Sequence, residues 1–168
     1  MARSLRIEYS NAWYHVTSRG NEGVVIFRDD NDRKHFLQVL AESLQLFKVQ
    51  LHCYVLMTNH FHFILKTLEA NLSRFMQRFS TAYTTYFNLR HQRHGHLYQG
   101  RFKAILVDAD EYLLQLSRYI HLNPVRLAKY KYFPPEEKAK VLKNYQWSSL
   151  CGYIRLKYRD NLDRKSVV

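Results

Sequence analysis

The sequence has little cysteine, few acidic residues and no long apolar run, and each shortage removes a class of protein. Its two cysteines, Cys53 and Cys151, lie far apart and form no C-x-x-C pair. Neither a disulfide framework nor a zinc ribbon is therefore indicated, and buried thiols in a reducing compartment are expected. The opening Met1-Ala2-Arg3-Ser4-Leu5-Arg6 has no apolar leader core, and nothing approaches the roughly 18 uninterrupted apolar residues of a membrane helix. A cytoplasmic protein without a membrane partner is the expectation. Asp and Glu number only 14 against 26 Lys and Arg, a formal net charge of +12. Such a surface suits a polyanionic partner, although basic excess alone names no reaction. No internal repeat and no heptad appears, which leaves monomer and homodimer both open.

What is present suits one folded unit. Of the 168 residues, 46% are hydrophobic and 15% aromatic, enough for a sizeable core in a single domain over residues 1–153, followed by a basic extension over 154–168. Residues 12–18, rich in aromatic and β-branched types, read as a strand that stops at Arg19-Gly20-Asn21. Asp30, Asn31 and Asp32 offer caps for an amphipathic helix through Phe36, Leu40, Leu44 and Phe47. Two strand-like runs, 49–57 and 60–67, are separated only by Thr58-Asn59, a hairpin spacing. A second helix opens at Asn71 or Ser73 and carries the stripe Leu72, Phe75, Met76, Phe79, Tyr83 and Phe87. After a polar loop over 91–100 comes a strand at 102–107. A helix capped by Asp108 or Asp110 then runs until Pro124 ends it. The order β-α-β-β-α-β-α predicts an α+β, ferredoxin-like fold: an antiparallel sheet with helices on one face. A short helical extension near Trp147 is expected to cap it.

Two local patterns carry chemistry. In His60-Phe61-His62, residues two apart on a strand project from one face, so two imidazoles can address one cation while Phe61 and Phe63 turn to the other side. The plain alternative is a polar strand face. Two imidazoles do not complete a metal site, so further ligands would come from elsewhere. On the helix over 110–123, at 100° per residue, Tyr119 lies about 20° from Tyr112 and about 40° from Asn123. A tyrosine and a carboxamide one turn apart could both face the histidine pair, with ordinary packing as the alternative. His94 and His96 repeat the H-x-H pattern, but in a glycine-containing loop that is not expected to hold metal.

Five segments, in order and spacing, resemble the REP-associated tyrosine transposase family of the HUH single-strand nucleases. They are Tyr14-His-Val-Thr-Ser-Arg-Gly-Asn21, Tyr54-Val-Leu-Met-Thr-Asn-His-Phe-His-Phe63, Gly95-His-Leu-Tyr-Gln-Gly-Arg-Phe-Lys103, Ser117-Arg-Tyr-Ile-His-Leu-Asn-Pro-Val125 and Trp147-Ser-Ser149. The resemblance spans residues 12 to about 153; Thr58 departs from it, standing at a turn position where proline is frequent. It implies that His60 and His62 are the metal pair, that Tyr119 is the nucleophile and that Asn123 is the third, carboxamide-type ligand. It further implies a substrate of single-stranded DNA beside a hairpin.

That implied chemistry is physically coherent. A cation, Mg2+ or Mn2+, would neutralise phosphodiester oxygens, and imidazole ligands favour the transition metal. Attack by a tyrosine would exchange the ester rather than hydrolyse it, so the cut could be rejoined without ATP. Cations that follow phosphates and rings that stack on bases suit a single strand. Arg19, Arg74, Arg78, Arg101, Lys103, Arg118 and Arg126 are the candidate DNA contacts. Besides a domesticated or decayed relative that binds its DNA element but no longer moves it, two rival readings stand beside this one. One is a non-catalytic nucleic-acid module of the same fold, though the strands lack the RNP1 pattern. The other is a metal hydrolase that activates water.

Overall fold

The computed structural model describes residues 7–107 and 110–154. The proposed leader-free start, the Asp108 cap and the basic extension beyond Ile154 lie outside the described residues, as does the side chain of the other proposed cap, Asp110. Strands β1 (Ala12–Arg19), β2 (Val49–Leu56), β3 (His60–Thr67) and β4 (Lys103–Val107) form one sheet. Its order is β2-β3-β1-β4, with every neighbouring pair antiparallel. Helix α1 (Asp30–Phe47) carries the chain from β1 to β2. The hairpin then returns β3 into the gap between them, the split β-α-β arrangement that the element order predicts. Helices α2 (Leu72–Arg90) and α3 (Asp110–His121) precede and follow β4. No described helix is long and apolar enough to cross a membrane.

The helices do not all share one face, and here the sequence expectation is corrected. α1 and α2 bury Phe36, Leu40, Phe75, Phe79 and Tyr83 against Tyr14, Val16, Phe61, Phe63 and Leu65. α3 instead sets Leu113, Leu116 and Ile120 on Cys53, Val55 and Ile64, which point the opposite way. The cause is in β2 and β3, whose apolar residues occupy both sides of the pleat and so require cover on both. A register irregularity between Leu51 and Cys53 sends Leu51 to the first core and Cys53 to the second, although the two are an even number of residues apart.

Local sequence explains the element ends. α1 is capped by Asp29, one residue before the predicted caps; its carboxylate accepts from the Asp32 amide at 3.0 Å. Asp32 is fully buried and accepts from the Arg28 amide, His91 and Arg90, which ties the start of α1 to the end of α2. Phe36 sits at the centre of the first core, its ring edge-on to Phe27, Phe79 and Tyr83, each 4.9 Å away.

The helical extension flanks Trp147 rather than including it: α4 spans Pro135–Asn144 and α5 spans Leu150–Ile154. Between them, residues 147–149 run along the open edge of β2. The Leu56 amide donates to the Trp147 carbonyl at 2.8 Å, and the Ser149 amide donates to the Tyr54 carbonyl at 3.1 Å. An edge that would otherwise expose unpaired backbone is thereby covered. Ser149 Oγ also meets His121 Nε2 at 2.8 Å and accepts from the Tyr54 amide at 3.0 Å. Two sequence motifs far apart in the chain thus join to hold the end of α3 against β2. Ser149→Ala removes a buried hydroxyl shared by these groups and is expected to cost about 1–3 kcal/mol. Urea denaturation of the variant measures this; an unchanged midpoint would show that apolar packing alone seats α3.

Candidate functional site

The site forms where α3 crosses the sheet. On β1, Trp13, His15, Thr17 and Arg19 alternate onto the α3 side; on β3, His60, His62 and Ile64 do the same. The antiparallel register pairs Thr17 with His62 and His15 with Ile64, so His15 and His62 are diagonal neighbours. Their rings lie nearly parallel with centroids 5.2 Å apart, and His15 Nε2 is 3.0 Å from His62 Nδ1. His60 stands edge-on to His62 at 5.2 Å, and its Nδ1 is 2.8 Å from Asn59 Oδ1. Both Nδ1 atoms of the strand pair are therefore engaged, which leaves each Nε2 as the atom able to take a cation.

Tyr119 projects from α3 toward this cluster. Its ring is edge-on to His62 at 6.1 Å and to His15 at 6.5 Å. The Arg126 guanidinium carbon lies 4.3 Å from the Tyr119 ring centroid, against its face. α3 stops at His121, and Asn123 begins a 3-10 turn that includes Pro124. Asn123 is consequently outside regular helix geometry, and its Nδ2 caps the helix by donating to the Tyr119 carbonyl at 3.0 Å and the Ile120 carbonyl at 3.2 Å. Its carboxamide oxygen is the atom left for a ligand. No group of three or more His, Cys, Asp or Glu among the described residues could hold a metal ion, so no described carboxylate or thiolate completes the histidine pair.

A pocket of about 460 Å³ opens beside the pair, lined by Arg19, His60, His62, Arg101 and Lys103, with Gln99 and Asn59 among its polar groups. Three of the seven candidate DNA contacts are gathered here, and a fourth, Arg126, stands at Tyr119. Arg118 is exposed on α3, whereas Arg74 and Arg78 lie on α2, across the sheet from the histidines. Gly20, at the end of β1, is required by the fold itself: a Cβ there would meet the Val24 carbonyl oxygen at 2.0 Å.

Sequence reasoning missed His15. Its alternation with Thr17 marks the face, but the diagonal contact with His62 follows only from the strand register. It also did not place Arg126 on the Tyr119 ring, because that contact is made across a turn whose shape depends on Pro124.

Burial keeps these imidazoles uncharged. Desolvation first, and then the neighbouring His15 and His60, push the His62 pKa down to about 3. His60 is lowered by burial and by Arg19, and His15 by burial. His121, at the junction with Ser149, is lowered by burial and by His52 to about 4.

The chain belongs to the IS200-like transposase family, whose model matches residues 8–123; it is a transposase. Its fold is similar to that of a REP-associated tyrosine transposase solved bound to a REP hairpin, with a TM-score of 0.72 at 13% identity, covering 97% of this chain and 90% of that one. A putative transposase from Deinococcus radiodurans aligns with a TM-score of 0.47 at 13% identity, covering 71% of this chain and 95% of the other. No curated protein matches the chain in sequence.

The depressed histidines also set an acid limit. Folded His62 and His121 stay neutral below the ordinary imidazole value of 6.5, while the unfolded chain protonates there. Stability is therefore complete above about pH 6.5 and falls as pH drops toward 4, at about 1 kcal/mol per pH unit for each group. Urea midpoints of the metal-free protein should be lower at pH 5 than at pH 7.5, and His121→Gln should narrow that difference.

Proposed function

We propose that this transposase cuts and rejoins single-stranded DNA, with Tyr119 as the nucleophile and His60 and His62 as the mount for a divalent cation, Mg2+ or Mn2+. The observation that carries the reading is the edge-on approach of Tyr119 to His62, 6.1 Å between ring centroids within one chain. A single chain thus supplies both halves of the chemistry, which suits a monomer and equally a homodimer whose two sites work independently.

The donor set fits a cation. His60 and His62 are held neutral by burial, their Nδ1 atoms are engaged, and Asn123 can add its carboxamide oxygen. With only neutral ligands, the site retains a full positive charge for the phosphate, and imidazole nitrogen favours Mn2+. When bound, the cation supplies charge neutralisation and polarisation at the scissile phosphate. The chain's own residues do the rest. Arg19, Arg101 and Lys103 hold phosphate oxygens in the pocket, and Arg126 orients the Tyr119 ring while adding positive charge where the pentavalent centre develops. Tyr119 Oη forms the new bond to phosphorus as the bond to the 3′ oxygen breaks. The phenolic proton is lost and the departing oxygen gains one, which leaves a 5′ phosphotyrosine and a free 3′ hydroxyl. Attack by another 3′ hydroxyl reverses the step, so ester energy is conserved.

A hairpin beside the cut is the proposed DNA feature, supported by the relative of the same fold that was solved on a REP hairpin.

The test is a denaturing gel of protein incubated with labelled hairpin-bearing single-stranded DNA and Mn2+. A slowed, covalent protein–DNA band is expected for the wild type and none for Tyr119→Phe. DNA binding without any adduct would favour the non-catalytic module, and cleavage that survives in Tyr119→Phe would favour water as nucleophile. His15→Ala frees His62 Nδ1 and is expected to weaken Mn2+ binding about 10-fold, read by calorimetry. Equal Mn2+ affinity in that variant would show that His15 does not orient the ligand.

A further inference from the structure

α2 carries Ser80, Thr81, Thr84 and Thr85 in mid-helix, with Ala82 and Tyr83 between. Serine and threonine are weak helix formers, so this cluster does not serve helix stability. Nor does it serve packing: α2 faces the core through Phe75, Phe79, Tyr83 and Phe87. None of the four hydroxyls hydrogen-bonds within the described residues. All four instead line a groove of about 580 Å³ whose opposite wall includes His96, Tyr98 and Arg101. The Tyr98 hydroxyl is buried there without a partner among the described residues.

The groove has a built wall. The loop over 91–100 is tied to α2 by Asn88 Nδ2, which donates to the Gly95 carbonyl at 2.9 Å. At its other end the Gln99 amide donates to the Arg19 carbonyl, and the Asn21 amide to the Leu97 carbonyl, both at 2.9 Å. Arg101 lines both this groove and the histidine pocket, so the two adjoin. Thr85 links it onward to a third depression lined by Arg93 and His94. No carboxylate among the described residues lines any of the three. Arg78 lies one helical turn before Thr81 and two before Thr85, on the same side of α2.

We propose that this groove is a second seat for the DNA strand, taking unpaired nucleotides that flank the scissile phosphate and holding them by their phosphate and sugar oxygens. The hydroxyls donate to those oxygens, while Arg101, Arg93 and Arg78 neutralise them. The path leads from the histidine side of the sheet, around its end, to the side covered by α2. A duplex with a persistence length of about 150 base pairs does not follow such a bend, whereas a single strand does. With hydroxyl and guanidinium donors along the wall, the seat is tolerant of base sequence. This inference rests on the reading of the protein as a single-strand DNA enzyme, but not on Tyr119 as its nucleophile.

Thr81→Glu and Thr85→Glu each place a carboxylate in the groove at an exposed helical position that glutamate tolerates well. Gln45→Glu, exposed on α1, makes the same change of net charge away from it. Binding is read by fluorescence anisotropy with a labelled oligothymidylate of about 16 nucleotides, without metal. The two groove variants should bind about 10-fold more weakly than wild type, and Gln45→Glu should bind like wild type. Equal affinity across all four proteins, or equal weakening by Gln45→Glu, overturns the proposal. So does a groove variant that weakens blunt duplex as much as the single strand. The adduct gel reports separately on the nucleophile: weaker strand binding in the groove variants together with no wild-type adduct would leave the groove standing and remove the catalytic reading.

Discussion

The seating of α3 on the histidine face of the sheet is the contact on which the rest depends. Leu113, Leu116 and Ile120 bury against Cys53, Val55 and Ile64, and His121 joins Ser149 and the β2 backbone at the helix end. Apolar contact fixes the depth of the helix, and hydrogen bonding fixes where along the sheet it stops. Only with both is Tyr119 held against His62. Were α3 on the same face as α1 and α2, the sheet itself would lie between the phenol and the imidazoles.

Burial then sets the chemistry of the cluster. The same desolvation that makes protonated imidazole costly keeps His15, His60 and His62 neutral and able to donate lone pairs. The positive charge of the site comes from Arg19, Arg101, Lys103 and Arg126 around the rim, where solvent lowers the penalty of keeping it. Neutral donors thus lie inside and cations outside. Arg101, shared by the two depressions, extends that positive character toward the hydroxyl face of α2.

Much of the fold was legible because its elements are periodic and sharply bounded. The α2 stripe from Leu72 to Phe87 and the Thr58-Asn59 hairpin follow directly from residue spacing, and the element order carries the antiparallel topology with it. The capping residue of α1 fell one position early, at Asp29, because Asp30, Asn31 and Asp32 are all chemically able caps and tertiary contact drew Asp32 into the buried network with Arg90 and His91. Helices do form near Trp147, but residues 147–149 between them pair with the edge of β2, a partnership more than ninety residues distant that no local pattern reveals.

At the candidate site the division is similar. Period-two alternation by itself determined that His60 and His62 share a face opposite to Phe61 and Phe63, whereas helical phase does not reach Asn123, which lies past the end of α3 in a 3-10 turn. The order of motifs supported a tyrosine transposase. Which face α3 would cover and that His15 would engage His62 Nδ1 were decided only by tertiary structure. The physical reason is that side-chain periodicity is local, set by backbone geometry within one element. Contact between elements depends on register and on where apolar area remains to be buried once the other helices are in place.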